Sequence, residues 1–112
     1  MVLLGLSEKN RQPRVATIQN PYSLINRTFE VGLAEAAIRE DCGLLAYLPR
    51  GFSALTGKYL DDALPEGSRQ SLFPSFARNF KPQGIAATAR YVVLGREHGL
   101  EPSQMALAWV HS

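Results

Sequence analysis

Cysteine is nearly absent. Cys42 stands alone in 112 residues, which excludes an internal disulfide and leaves no zinc-ligand set. A reducing cytoplasm is the compartment this leads one to expect. Charge is sparse as well: twelve basic and ten acidic residues give a net +2, and no dense basic run argues for nucleic acid. A pI near 8.9 leans only slightly toward phosphate-bearing ligands. No apolar run reaches the length of a membrane span; residues 1–6 are apolar but short, without the basic leader or cleavage site of a secretory signal. There is no G-x-G-x-x-G, so a Rossmann-type phosphate turn is excluded. With 46% hydrophobic and 20% charged residues, the composition fits one globular domain at most and argues against disorder.

What is present alternates between helix and strand. Residues 1–9 read as the end of an amphipathic helix, closed by Asn10-Arg11-Gln12-Pro13. The β-branched run at 15–19 predicts a strand that stops at Asn20-Pro21, since proline cannot donate to a ladder. Phe29, Leu33, Ala36 and Ala37 recur at helical spacing, with Glu30, Glu35 and Arg39 mostly opposite. They predict a helix over 29–41, with Thr28 as N-cap and Gly43 as its stop. The continuous apolar run at 44–48 predicts a strand buried on both faces, as in a parallel sheet covered by helices. Residues 50–69 hold Gly51, Gly57, Gly67, Pro65 and Asp61-Asp62, and read as a long loop with one helical turn. A short helix interrupted by Pro74 is expected over 71–80, with Phe73, Phe76 and Phe80 as its packing side chains. The clearest helix spans 83–98, with Ile85, Ala89, Val92 and Val93 near one stripe and Gly99 at its end. Pro102 opens a last helix that buries Met105, Ala108 and Trp109.

This order is a piece of a parallel α/β fold. Two strands cannot cover themselves, and their open edges favour self-association. The residues alone therefore predict one incomplete domain over 1–112, without a linker, that belongs to a larger architecture.

Two segments carry a family resemblance. Ile18-Gln19-Asn20-Pro21-Tyr22-Ser23-Leu24-Ile25-Asn26-Arg27 resembles the strand and loop of aldo-keto reductases in which a glutamine is followed by Y-x-L-x-x-R. Ala46-Tyr47-Leu48-Pro49-Arg50-Gly51-Phe52-Ser53-Ala54-Leu55-Thr56-Gly57-Lys58-Tyr59 is similar to the family's next strand and phosphate loop, A-Y-S-P-L-G-x-G-x-L-T-G-K-Y. Gly67-Ser68-Arg69 and Gln104-Met105-Ala106-Leu107-Ala108-Trp109-Val110 resemble its later helices, and the likeness to bacterial members covers nearly the whole chain.

The resemblance implies part of a (β/α)8 TIM barrel, with about two of its parallel strands and flanking helices, and active-site parts at the carboxyl ends of the strands. It implies hydride transfer between NADPH and an aldehyde or ketone. Gln19 would hydrogen-bond the nicotinamide carboxamide, and Tyr47 would stack on the nicotinamide ring. The stretch from Leu48 to Gly57, with Pro49, Arg50, Gly51 and Ser53, would wrap the pyrophosphate. Lys58 and Arg69 would face phosphates. Arg69 is the better candidate for the 2′-phosphate, because a guanidinium offers paired donors in a fixed fork. The preference for NADPH over NADH rests on that residue alone.

Three loop residues depart from the pattern: Leu48 replaces serine, Arg50 replaces leucine and Ser53 replaces glycine. The first removes a hydroxyl that could meet phosphate; the last crowds the backbone where it should pass close to ligand. The family's catalytic Asp, Tyr, Lys and His lie upstream of the matched region. No catalytic residue is therefore assigned here, and the chain alone is expected not to reduce carbonyls. Besides a truncated reductase, two readings stay open: a non-catalytic NADP(H)-binding or regulatory module acting through partners, and a gene remnant without activity. Without the family, Lys58 and Arg69 read as solvated charges and Tyr47 as a core aromatic. Cys42 reads as inert, His98 as a helix-end cation, Asp61-Asp62 as a turn without a metal, and Tyr22 and Asn26 as loop-shaping residues.

Overall fold

The computed structural model describes residues 2–75 and 79–112. Two strands, β1 (Thr17–Pro21) and β2 (Gly43–Tyr47), pair in parallel with Thr17 opposite Gly43 and Pro21 opposite Tyr47. β1 starts two residues later than the β-branched run suggests, and it includes Pro21. The ladder explains why. The Tyr22 N–H donates to the Tyr47 carbonyl at 3.2 Å, and a strand residue sends its N–H and C=O to one side. The even-numbered residues of β1 thus face β2, and the missing donor of Pro21 falls on the outer edge, where it costs no bond.

One sheet face meets helices. Ile18 and Leu44 pack against a cluster of Leu4, Phe29, Ala37 and Cys42, drawn from α1 (Val2–Lys9), a 3-10 turn at Thr28–Glu30, α2 (Leu33–Arg39) and the turn before β2. Cys42 is buried and its thiol donates to the Val15 carbonyl at 3.2 Å. The opposite face is open: Gln19, Leu45 and Tyr47 are exposed, Leu45 by 56%. The expectation of a strand buried on both faces is therefore corrected to an alternating one.

The helix expected over 29–41 is broken at Gly32, whose φ of +95° leaves the helical region, so Thr28 is not its N-cap. Asp41, at φ +51°, ends α2, and Gly43 opens β2 instead of stopping the helix. Residues 50–69 form the expected loop, with two 3-10 turns, Ala54–Thr56 and Leu60–Asp62. α3 is short (Arg69–Leu72), its N-terminus capped by Ser68 Oγ accepting from the Ser71 N–H. Phe73 is exposed, Phe80 packs edge-on against Tyr59 at 5.1 Å, and Phe76 lies outside the described residues.

α4 (Pro82–Glu97) buries Thr88, Val92 and Gly95. Ile85 and Val93 face outward, so the buried line is less apolar than the expected stripe. Gly95 belongs there because Met105 Sδ lies 3.4 Å from where a Cβ would stand. His98 caps α4, its ring Nδ1 3.0 Å from the Leu94 carbonyl. α5 (Pro102–His111) buries Ala106 against Leu24 and Leu55, with Met105 and Trp109 beside them; Ala108 is exposed, not buried as expected.

The result is elongated. The radius of gyration is 17.3 Å, against about 13 Å for a compact chain of this length. The accessible surface of 7914 Å² exceeds the roughly 6,100 Å² of a compact monomer of this mass. Among the described residues no helix is long and apolar enough to cross a membrane.

Because packing is confined to two small clusters, their members should dominate stability. Leu55→Ala is expected to cost about 2–4 kcal/mol in urea unfolding. Ile38→Ala, at a side chain 81% exposed, should stay within about 0.5 kcal/mol. Equal effects would contradict this division.

Candidate cofactor site

Parallel pairing delivers the carboxyl ends of β1 and β2 to the same place, Pro21 beside Tyr47. Gln19 and Tyr47 share the open sheet face, since Gln19 pairs with Leu45 and Pro21 with Tyr47. Beyond Tyr47 the chain turns sharply. Leu48 (φ +57°), Gly51 (+56°), Phe52 (+57°) and Ser53 (+67°) are all left-handed. Glycine is favoured at 51 for a second reason: a Cβ there would lie 2.5 Å from Ile25 Cδ1, so the Ile25 side chain would have to shift. Ser53 adopts the backbone that glycine takes freely, so its side chain strains the loop at about 1 kcal/mol. Thr56 Oγ1 ties the turn by donating to the Ser53 carbonyl at 2.7 Å and accepting from the Lys58 N–H at 3.3 Å.

The turn walls an open recess of about 490 Å³ lined by Leu48, Pro49, Arg50, Phe52, Ser53, Arg69 and Leu107. The Arg69 guanidinium lies over the Phe52 ring, 5.3 Å from its centroid. Arg50, where leucine is usual, donates to Ser103 Oγ at 3.3 Å and so joins the loop to the first turn of α5. Tyr59 OH accepts from the Gln70 N–H at 3.3 Å, holding α3, and with it Arg69, against the loop. No carboxylate lines the recess.

Five of the residues singled out from sequence, Leu48, Pro49, Arg50, Ser53 and Arg69, meet in this lining. Gly51 supports it from behind, buried on Ile25. Gln19 and Tyr47 stand on the adjoining sheet face. Gly57 and Lys58 do not line the recess. Gly57, at φ +81°, abuts Val92 of α4, and the Lys58 ammonium sits 5.1 Å from the Tyr59 ring centroid. Leu107 is the member that sequence reasoning missed, and Phe52, inside the expected Leu48–Gly57 stretch, was not singled out. The stacking of residues 17 positions apart leaves no local signal.

A second polar cluster anchors the loop after β1. Arg27 pairs with Glu30 at 2.9 Å and lies over the Trp109 ring at 5.1 Å. Tyr22 donates to Glu30 at 2.7 Å and packs on Phe29 and Trp109, while Ser23 and Asn26 close a small bridge. The Arg27 guanidinium, then the Tyr22 hydroxyl, hold the Glu30 carboxyl below its ordinary range. The hydrogen bond to Glu30 raises the Tyr22 phenol. Among the described residues no group of three potential metal ligands occurs.

The comparisons with known proteins decide the family. Its sequence model, described as the aldo/keto reductase family, matches residues 3–112. The chain belongs to the aldo/keto reductase family. It is 54% identical over 110 residues to Protein tas of Escherichia coli K12, covering 98% of this chain and 32% of that protein. It is 25% identical over 92 residues to a Schizosaccharomyces pombe aldo-keto reductase, yakc, named with NADP(+), covering 81% of this chain and 27% of that protein. A glycerol dehydrogenase of Gluconobacter oxydans superposes with a TM-score of 0.69 at 27% identity, covering 94% of this chain and 32% of that one. The chain thus spans about a third of the length of these relatives. Its two parallel strands and flanking helices correspond to part of a (β/α)8 barrel of the aldo/keto reductase type.

Two outcomes test this geometry. Gly51→Ala should lower stability by about 1–2 kcal/mol and Ser53→Gly should raise it by up to about 1 kcal/mol, measured by urea midpoint; the opposite signs would refute the loop. For the clamp, a carboxyl with depressed pKa stabilises above its ordinary range, and that contribution disappears as pH falls through the lower folded value. Emission of Trp109, the single tryptophan, should change across that acid window, and Glu30→Gln should abolish the change.

Proposed function

We propose that this chain furnishes the nicotinamide- and phosphate-binding strands and loop of an NADPH-dependent aldo-keto reductase, and is inactive in carbonyl reduction by itself. The observation that carries the reading is the convergence of Arg50 and Arg69 on one recess free of carboxylates, off the carboxyl end of β2. Family membership supplies the reaction class, oxidoreduction.

The residues fit a dinucleotide. A recess of about 490 Å³ is of the size that holds part of such a ligand. The guanidinium of Arg69 makes no ion pair among the described residues and rests on Phe52, so it is preoriented and free to bind a phosphate. Arg50 adds a second cation, held by Ser103. The Tyr47 ring, exposed at the strand end, offers a flat face for the nicotinamide, and the Gln19 side chain offers a donor and an acceptor to its carboxamide. When bound, NADPH supplies the hydride for reduction of a carbonyl. The proton for the carbonyl oxygen needs a general acid, a role this reading leaves to residues outside the chain.

Titration of the purified chain with NADPH, followed by cofactor fluorescence, tests the proposal. Saturable binding is expected. Arg69→Ala should weaken it roughly tenfold, the loss of one charge-assisted contact, and should weaken NADH less. Lys58→Ala should change little. Absence of saturable binding, or an Arg69→Ala chain that binds as the parent does, contradicts the proposal. NADPH oxidation with aldehydes or ketones by the chain alone would contradict the claim of inactivity.

A further inference from the structure

The two cations of the recess are each held by a neutral group. Arg69 rests on the Phe52 ring, 5.3 Å from its centroid. Arg50, where the family pattern carries leucine, sends Nη1 to Ser103 Oγ at 3.3 Å, across 53 positions of sequence. Neither forms an ion pair among the described residues. A guanidinium oriented by a carboxylate has much of its charge compensated. One oriented by a ring or a hydroxyl keeps that charge for an anionic ligand.

Arg50 is fixed at both ends. Its carbonyl accepts from the Leu55 N–H at 3.1 Å, and the Gly51 N–H donates to the Leu48 carbonyl at 2.8 Å. Leu55 is 1% exposed, so the backbone of the turn is tied to the core. Between that anchor and Ser103 runs a long side chain with several torsions, which lose entropy if they are ordered only on binding. The Ser103 bond orders them beforehand and uses one donor of the fork. The N-terminus of α5 is not itself the anion site. Pro102 has no N–H, and the Gln104 N–H is spent on Glu101 Oε2 at 3.0 Å. Ser103 is not among the residues lining the recess, so it acts on a ligand only through Arg50.

We infer that Ser103 is a positioning residue of the cofactor site, which presents the Arg50 guanidinium to the pyrophosphate, the anionic group common to NADPH and NADH. The inference rests on the dinucleotide reading above and adds to it a residue of α5. Arg50 stands three positions after Tyr47, the residue given the nicotinamide ring, on the turn that leaves the strand end. Arg69 belongs to α3 and is left for the 2′-phosphate, which NADH lacks.

Fluorescence titration of the full chain and its variants with NADPH and with NADH tests this. Arg50→Leu should weaken both nucleotides alike, roughly tenfold. Ser103→Ala should weaken both about two- to fivefold, and Ser103→Thr, which keeps the hydroxyl, should bind as the parent does. Added to Arg50→Leu, Ser103→Ala should have no further effect, because its whole action runs through the guanidinium. Affinity should fall with added salt more steeply in the parent than in Arg50→Leu, a difference that a purely structural tether would not produce. A parent chain that binds neither nucleotide overturns the dinucleotide reading and this inference with it. A parent that binds both, while Ser103→Ala binds equally well, overturns the role of Ser103 alone. A further loss on adding Ser103→Ala to Arg50→Leu, or equal salt dependence of Arg50→Leu and parent, overturns it too.

Discussion

The parallel register of β1 and β2 is the constraint on which the rest depends. It is a short ladder, yet it sets Pro21 beside Tyr47 and so starts two loops from one point. The loop after β1 is held to α5 by Arg27, Tyr22 and Trp109. The loop after β2 is held to the same helix by Arg50 and Ser103. α5 in turn buries Ala106 against Leu24 from one loop and Leu55 from the other. A shift of one residue in the ladder would put Ile18 and Leu44 on opposite faces and detach one of them from the Phe29 and Ala37 cluster.

The loop after β2 combines strain with anchoring. In its first turn three non-glycine residues, Leu48, Phe52 and Ser53, hold left-handed backbone, at about 1 kcal/mol or more each. What offsets it is visible: buried Ala54 and Leu55 follow the turn, Thr56 closes it, and Phe52 supports Arg69. Strain of this kind persists where surrounding contacts over-determine the backbone, and such places are often ligand sites. The departures at Arg50 and Ser53 have different consequences. Arg50 gains a contact to α5, whereas Ser53 occupies a glycine conformation and is tied only through its carbonyl, to Thr56.

Much of the fold was legible in the sequence. β2, α4 and α5 lie where periodicity, Gly99 and Pro102 set them, and the Gln19 and Tyr47 segments carried the family that the sequence profile and relatives bear out. Other features were not legible, for physical reasons. The break at Gly32 depends on its backbone angle, which a helical count of Phe29, Leu33, Ala36 and Ala37 does not register. The buried line of α4 uses Thr88 and Gly95, chosen for space and not for apolarity. An unbroken apolar run suggested two-sided burial at 44–48, but burial is decided by what packs on each face, and Leu45 stays 56% exposed on the open one. At the candidate site, Arg50 and Arg69 were found through the family resemblance, while the stacking of Phe52 on Arg69 and the approach of Leu107 arise only through tertiary contact.

The central claim is that the left-handed turn and its two guanidiniums form a dinucleotide phosphate site. Amide and arginine side-chain resonances of the isotopically labelled chain, recorded as NADP+ is added, test it most directly. The account predicts saturable shifts confined to Gln19, Tyr47, residues 48–53, Arg69, Ser103 and Leu107, with the Arg27 and Trp109 signals unmoved. Shifts absent from the turn, or spread evenly over the surface, would contradict it.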